Sequence, residues 1–305
     1  MRRTLSASVL ALLLTAGCTT AAGANVRACQ AEEQAYLQIK RSAGPIEVNN
    51  ALGAAADKGC LDLARRLLDD GASLEARDRL GRMALARAAK AGHAEVVELF
   101  LSRGASVNAR NLEGSTALFL AAEEDNRAIV ELLLAHGADL TLTGRSGLTP
   151  LAAAAYMGNE PLVLLLLDKG ADPNAVDVTG KSAICYAGGR GFAQVARILV
   201  DHGVDVNTRY GNDLTALMWG AGHADEAGSQ DVSNLMSFLI DRGAHLNEQD
   251  NRGRTALMIA AQLGHVTAAE LLMQRGADKA VRDKAGKTAH DLARDAKLQA
   301  ELAAK

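Results

Sequence analysis

Glycine recurs along this chain with a fixed period. Gly81, Gly114, Gly147 and Gly180 are each 33 residues apart, and Gly253 and Gly286 have the same separation. Two places after each glycine stands Thr116, Thr149, Ser182, Thr255 or Thr288. Thr215 joins the series with Asp213 in the glycine's place, and Met83 breaks it. A second series runs in parallel: Gly-Ala pairs begin at 71, 104, 137, 170, 243 and 276, and Gly203-Val204 completes it. Self-similarity at such a period marks a repeat array, in which units stack on their neighbours rather than around one central core. That constraint overrides a domain count taken from a length of 305 residues.

The residues between the two series predict paired helices. "TALFLAA" and "TALMIAA" open a short helix, and "GHAEVVELFLSRG" and "GHVTAAELLMQRG" turn and build a longer one. Val96, Val97, Leu99 and Phe100 recur at helical spacing. The Thr or Ser stands where a hydroxyl accepts an unpaired N–H at the helix start. The glycine after each long helix suits a left-handed C-cap. Small Ala pairs let the helices of adjacent units approach closely, and stretches such as "ASVNARNLEG" form a tight turn toward the next unit. The chain is 49% hydrophobic but only 3% aromatic, so the interior is expected to be built from Ala, Leu, Ile and Val.

In these features the sequence resembles the ankyrin-repeat family over about residues 45–300, and "GLTPLAAAAYMGNEPLVLLLLDKGADPNAVD" is the clearest copy. The expected fold is an all-α ankyrin-repeat solenoid. Seven near-complete units start close to 45, 78, 111, 144, 177, 210 and 250, and a C-terminal half unit starts near 283. The family usually places His three residues after the capping Thr. Here Phe119, Ala152, Cys185, Met218 and Met258 stand there, which implies packing in place of hydrogen bonds. Thr215 to Thr255 spans 40 residues, and the extra seven fall at about Asp225–Asp231, a polar insertion expected as an exposed loop between the helices of the sixth unit. Residues 25–44 and the charged C-terminal stretch read as caps, which a solenoid needs for solubility.

The N-terminus reads as an export signal over residues 1–24. Arg2 and Arg3 precede an uncharged, mostly apolar run from Leu5 to Ala16, too short for a membrane span. Two processing routes stand open. Ala22-Gly23-Ala24 is an A-x-A site, and Leu14-Thr15-Ala16-Gly17-Cys18 resembles a bacterial lipoprotein box with Cys18 lipidated. The first leaves a free periplasmic protein and the second a protein tethered to the outer membrane. Export implies a compartment where disulfides persist. Cys29 and Cys60 could pair there, or stand as two separate buried thiols.

No local motif for a nucleophile, a phosphate loop or a zinc protease is present. The histidines fall on repeat positions: His93 and His265 share one, and His136 and His202 another. No metal or cofactor is expected, and the reading is non-enzymatic. The formal charge is −3; without Arg2 and Arg3, 31 basic residues face 36 acidic ones, about −5. A nucleic-acid-binding domain would be strongly basic, so no nucleic acid is expected.

The resemblance implies a protein partner on the side made of turn tips and short-helix ends. Its positions carry Arg77, Arg79, Arg82, Arg110, Arg145, Lys181, Arg190, Arg209, Arg252 and Arg254. Arginine suits bidentate recognition of carboxylates, so an acidic partner surface is the expectation. Tyr156 with Met157 forms a candidate hot spot. The expected function is non-catalytic protein binding, or scaffolding, in the bacterial cell envelope. Two alternatives follow from resemblance to envelope ankyrin proteins: an immunity protein that neutralises a toxic effector, and an accessory factor in periplasmic oxidative-stress defence.

Overall fold

The computed structural model describes residues 26–223 and 229–303. The signal segment with Cys18 and most of the expected insertion lie outside the described residues. Among those residues the secondary structure is helical, with a single isolated bridge between Tyr210 and Leu214. The chain divides into two compact units, one ending at Asp139 and the other beginning at Leu140.

The first unit holds α1 (residues 26–39) and three helix pairs: α2 (Pro45–Lys58) with α3 (Leu61–Asp69), α4 (Ala84–Ala91) with α5 (Ala94–Ser102), and α6 (Ala117–Glu123) with α7 (Arg127–Ala135). The first helices of the pairs pack on one another in the order α2, α4, α6, and the second helices in the order α3, α5, α7. The second unit repeats this with α8 (Pro150–Met157) and α9 (Glu160–Asp168), α10 (Ala183–Arg190) and α11 (Ala193–Asp201), α12 (Ala216–Gly222) and α13 (Ser229–Asp241), α14 (Ala256–Leu263) and α15 (Val266–Gln274), and α16 (Ala289–Leu292) and α17 (Ala296–Ala303). The terminal copy thus has both helices, the first cut to a single turn, where a half unit was expected.

The expected local chemistry is largely in place. Thr116, Thr149, Thr215, Thr255 and Thr288 each accept a hydrogen bond from the N–H three residues on, at 3.0–3.4 Å. Ser182 does not; its hydroxyl turns to the Cys185 thiol at 3.8 Å. The glycine after every long helix has positive φ, from 82° at Gly137 to 96° at Gly203. Phe119, Ala152, Cys185, Met218 and Met258 are buried, so packing does replace the family histidine. Two of the rare aromatics, Phe100 and Phe119, join Ala, Leu, Ile and Val in the core with no exposure at all. The helix α13 has 13 residues where α11 and α15 have nine, so part of the extra length in the sixth repeat extends a helix rather than a loop.

A disulfide joins Cys29 of α1 to Cys60 at the start of α3. Around it, Glu32 pairs with Lys58, Glu33 with Arg66, and Asp70 accepts hydrogen bonds from Tyr36 (2.8 Å) and Lys40 (2.6 Å). The helix α1 is therefore bound to the first repeat covalently and by charge.

Candidate protein-binding site

Between helix pairs the chain makes hairpin turns, and one side chain organises most of them. Asp78 Oδ1 accepts from the N–H of Leu80 and of Arg82, both at 2.9 Å. Asn111 does the same for Glu113 and Ser115, Asp250 for Arg252 and Arg254, and Asp283 for Ala285 and Lys287. Such Asx turns substitute a side-chain acceptor for a backbone one. Where Gly144 and Tyr210 occupy the position the acceptor is gone, and Ser146 (φ 56°) and Asn212 (φ 65°) enter the left-handed region instead. Neighbouring hairpins are tied by single backbone bonds: Leu112 N–H to the Leu80 carbonyl in the first unit, and Val178 to Ser146, Gly211 to Gly180 and Lys284 to Arg252 in the second.

This framework engages many of the expected binding arginines. Arg77 Nη1 donates to the carbonyls of Gly81 (2.8 Å) and Arg110 (2.6 Å), and Arg110 Nε to that of Gly114 (2.7 Å). Arg209 donates to the Gln249 carbonyl at 3.1 Å and pairs with Glu248. Arg82 and Arg254 pair with their own hairpin aspartates, Asp78 and Asp250, each at 2.8 Å. Their first role is to hold hairpins closed, which the binding expectation did not foresee. Arg79 and Arg252 lie exposed on hairpin tips, and Arg145 is exposed in the short turn Arg145–Gly147.

The fifth repeat uses the same hairpin differently. Asp177 Oδ1 accepts from the N–H of Thr179 (2.7 Å) and Lys181 (3.0 Å), but its other oxygen accepts the phenol of Tyr186 on α10. Burial opposes ionisation of Asp177, yet the hydrogen bonds from Tyr186, Lys181 and Thr179 hold its carboxyl below the usual range. Burial and the same bond push the Tyr186 phenol well above its ordinary value. Lys181 occupies the place of Arg82 and Arg254, but the oxygen they use is taken. Its Nζ lies instead 5.8 Å from the ring centre of Tyr186 and 5.0 Å from that of Trp219 on α12.

Four rings gather beside it. Tyr156 at the end of α8 meets Tyr186 edge-on with centroids 6.1 Å apart, and Trp219 stacks on His223 at 5.3 Å. The Arg190 guanidinium lies 5.0 Å from the Tyr156 ring. Together these six side chains line a cavity of about 150 Å³. Gly189 keeps one wall bare: a Cβ there would lie 3.6 Å from the His223 ring. The Trp219 indole N–H is buried with no hydrogen-bond partner among the described residues. Cys185 also borders the cavity, but burial raises its pKa to about 11, so it is a thiol rather than a reactive thiolate.

Of the expected hot spot, Tyr156 belongs to this cluster and Met157, 50% exposed, lies beside it on α8. Lys181 and Arg190 also belong. Tyr186, Trp219 and His223 were not anticipated. The signal was present: Tyr186 and Trp219 are one period apart, as are Met157, Arg190 and His223.

A larger groove of about 600 Å³ runs along the long helices α9, α11 and α13, with Arg197 and Arg242 over the Phe238 ring at 4.3 and 5.0 Å. Its lining carries both signs of charge, and Arg242 is paired with Asp201 at 2.7 Å. Among the described residues no group of three or more His, Cys, Asp or Glu is placed to hold a metal ion, and no helix is long and apolar enough to cross a membrane.

A family model described as ankyrin repeats matches residues 26–111, 108–177 and 223–283. The chain belongs to the ankyrin-repeat family. Its fold is accordingly an all-α ankyrin-repeat solenoid. A stretch of 72 residues is 40% identical to the ankyrin repeat domain-containing protein 63 of Mus musculus, covering 24% of this chain and 18% of that protein. Another of 67 residues is 36% identical to the NAD-capped RNA hydrolase NUDT12 of Homo sapiens, covering 22% and 14%. A third of 60 residues is 47% identical to a Treponema pallidum protein named for its ankyrin repeats, covering 19% and 20%. These matches span a fifth or less of the relatives' lengths. The hydrolase match is confined to its ankyrin region. Ankyrin repeats are protein–protein interaction modules and generally non-catalytic scaffolds, which sets the class of this chain.

Proposed function

We propose that this ankyrin chain is a non-catalytic binding protein of the bacterial cell envelope, and that its partner docks on the hairpin and short-helix face of the second unit. The observation that carries the docking site is the cluster of Tyr156, Tyr186 and Trp219 with Lys181 and Arg190. Only one Trp, four Tyr and four Phe occur in the chain, and three of them meet here. Interface hot spots are enriched in Trp, Tyr and Arg.

Two features support export. The stretch Arg2–Ala16 has the layout of a secretory signal. The bridge between Cys29 and Cys60 is of the kind that persists in oxidising compartments and is rare in the cytosol. The lipoprotein box ending at Cys18 favours a tethered form. Intact mass of the protein from its own cells checks this: a diacylated Cys18 at the N-terminus supports tethering, Asn25 supports a free periplasmic protein, and a retained Met1 with reduced cysteines sinks export.

The binding reading is checked by crosslinking the tagged, natively exported protein in its own cells, with mass spectrometry after capture. One dominant partner near one-to-one is expected, lost when Tyr156→Ala and Arg190→Glu are combined. Capture that survives the double change removes the second unit's short-helix face as the docking site.

A further inference from the structure

We infer that the aromatic cavity of the second unit receives a carboxylate, presented by an Asp or Glu side chain in an acidic segment of the partner protein. This rests on the protein-binding reading above and adds the chemistry of the group that docks. Among the described residues the charged side chains lining the cavity are both cations. Lys181 and Arg190 both face aromatic rings, and among the described residues neither has a carboxylate within ion-pair distance. The nearest acid in the local network, Asp177, is 8% exposed and has both oxygens occupied by its own hairpin and by Tyr186. The ring faces are already covered by the protein's own cations, so a cationic guest gains nothing from them. The Trp219 ring contributes a wall, while its N–H is buried away from the open space. An anion suits that balance of charge.

Size narrows the guest further. Small-molecule sites typically enclose about 300–1,000 Å³, and this cavity of about 150 Å³ is well below that. It suits the end of one side chain. The walls contributed by Tyr156, Tyr186 and Trp219 suit the methylene stem that precedes a Glu or Asp carboxylate. Binding of such a side chain from a flexible segment adds charge complementarity at one point of a larger interface, which gives specificity more than bulk affinity.

Trp219 is the one tryptophan of the chain, so its fluorescence reports on this cavity alone. The full-length processed protein is titrated with an acetylated and amidated oligo-Glu peptide, with the matching oligo-Gln peptide, and with sodium acetate. A saturable Trp219 response to oligo-Glu and none to oligo-Gln is expected. Lys181→Gln and Arg190→Gln should each weaken it by roughly tenfold, the equivalent of about 1.4 kcal/mol, with circular dichroism and thermal midpoint unchanged. Three results overturn the inference: no saturable response to oligo-Glu at millimolar concentration, an equal response to oligo-Gln, or saturation by acetate at the same concentration as by the peptide, which would make this a small-carboxylate site. If the peptide fails while cellular capture still depends on Tyr156 and Arg190, the carboxylate assignment falls and the docking face stands. If capture fails too, the docking reading falls with it.

Discussion

The short helices of the two units use equivalent positions in opposite ways. In the first unit, Arg87 of α4 stands three periods before Tyr186 and four before Trp219 and pairs with Asp57 of α2 through two hydrogen bonds. Lys90, three residues later on the same helix, faces Glu124 at 3.5 Å. The first unit therefore neutralises its own short-helix face and is stapled by a disulfide. In the second unit the Arg87 position holds Tyr186 and Trp219, the Lys90 position holds Tyr156 and the Glu124 position holds Arg190, and among the described residues two cations stand over rings without an acid. One scaffold yields a closed surface and an open one, because the backbone needs only small residues at the helix contacts and leaves the outward positions unconstrained. On the proposed reading, binding capacity is a local substitution on a uniform frame.

The largest expected effect breaks the stapled side of that comparison. Removing the bridge by Cys29→Ser with Cys60→Ser should lower the stability of the first unit by about 3 kcal/mol. Amide hydrogen exchange should show faster opening of α1–α3 and unchanged exchange in α10–α15; uniform acceleration across both units would show that they unfold as one. Next is the switch in the fifth hairpin. Tyr186→Phe should cost about 2 kcal/mol by stripping the Asp177 carboxylate of a hydrogen bond. Adding Lys181→Arg should restore part of this by recreating the Asp–Arg pairing of Asp78–Arg82 and Asp250–Arg254, while abolishing the Trp219 response to oligo-Glu. Urea unfolding with and without the peptide separates the two readouts, and a double variant that still binds would refute the idea that an unpaired Lys181 makes the site.

Acid should reach both units through their hairpins. The carboxyls of Asp78 and Asp177 are held below the ordinary range: burial opposes this in each, and hydrogen bonds from Arg82 and Leu80, or from Tyr186, Lys181 and Thr179, overcome it. Depressed folded values mean stability that is present above the unfolded carboxylate value of about 4 and lost as pH falls through it toward the folded values. Urea midpoints should fall between pH 5 and pH 3, and Asp78→Asn with Asp177→Asn should flatten that dependence; an unchanged slope would assign acid sensitivity elsewhere. The smallest effect is expected at Lys90→Ala. Both partners of the Lys90–Glu124 pair are more than two-fifths exposed, so thermal stability should move by less than about 1 kcal/mol and partner capture should not change.

The period of 33, the Thr caps, the C-cap glycines and the buried residues at the lost histidine position were all legible in the chain. Each is a local requirement: a hydroxyl for an N–H, a glycine for positive φ, an apolar side chain for a buried face. Repetition then multiplies a weak local signal until it specifies the fold. Charge pairing is not local in that sense. Arg77 and Lys181 read alike as cations at repeat positions, yet Arg77 closes carbonyls at Gly81 and Arg110 while Lys181 lies over Tyr186 and Trp219. Which cations are consumed depends on acceptors one repeat away and on whether a phenol reaches the hairpin aspartate first. Pairing Cys29 with Cys60 likewise required the packing of α1 against the first repeat. The sequence by itself determined the repeat, its helices and the family, because those rest on contacts within 33 residues. The tertiary structure alone decided which charges remain unpaired and where the scarce aromatics meet, because both are set by distances between side chains on different repeats.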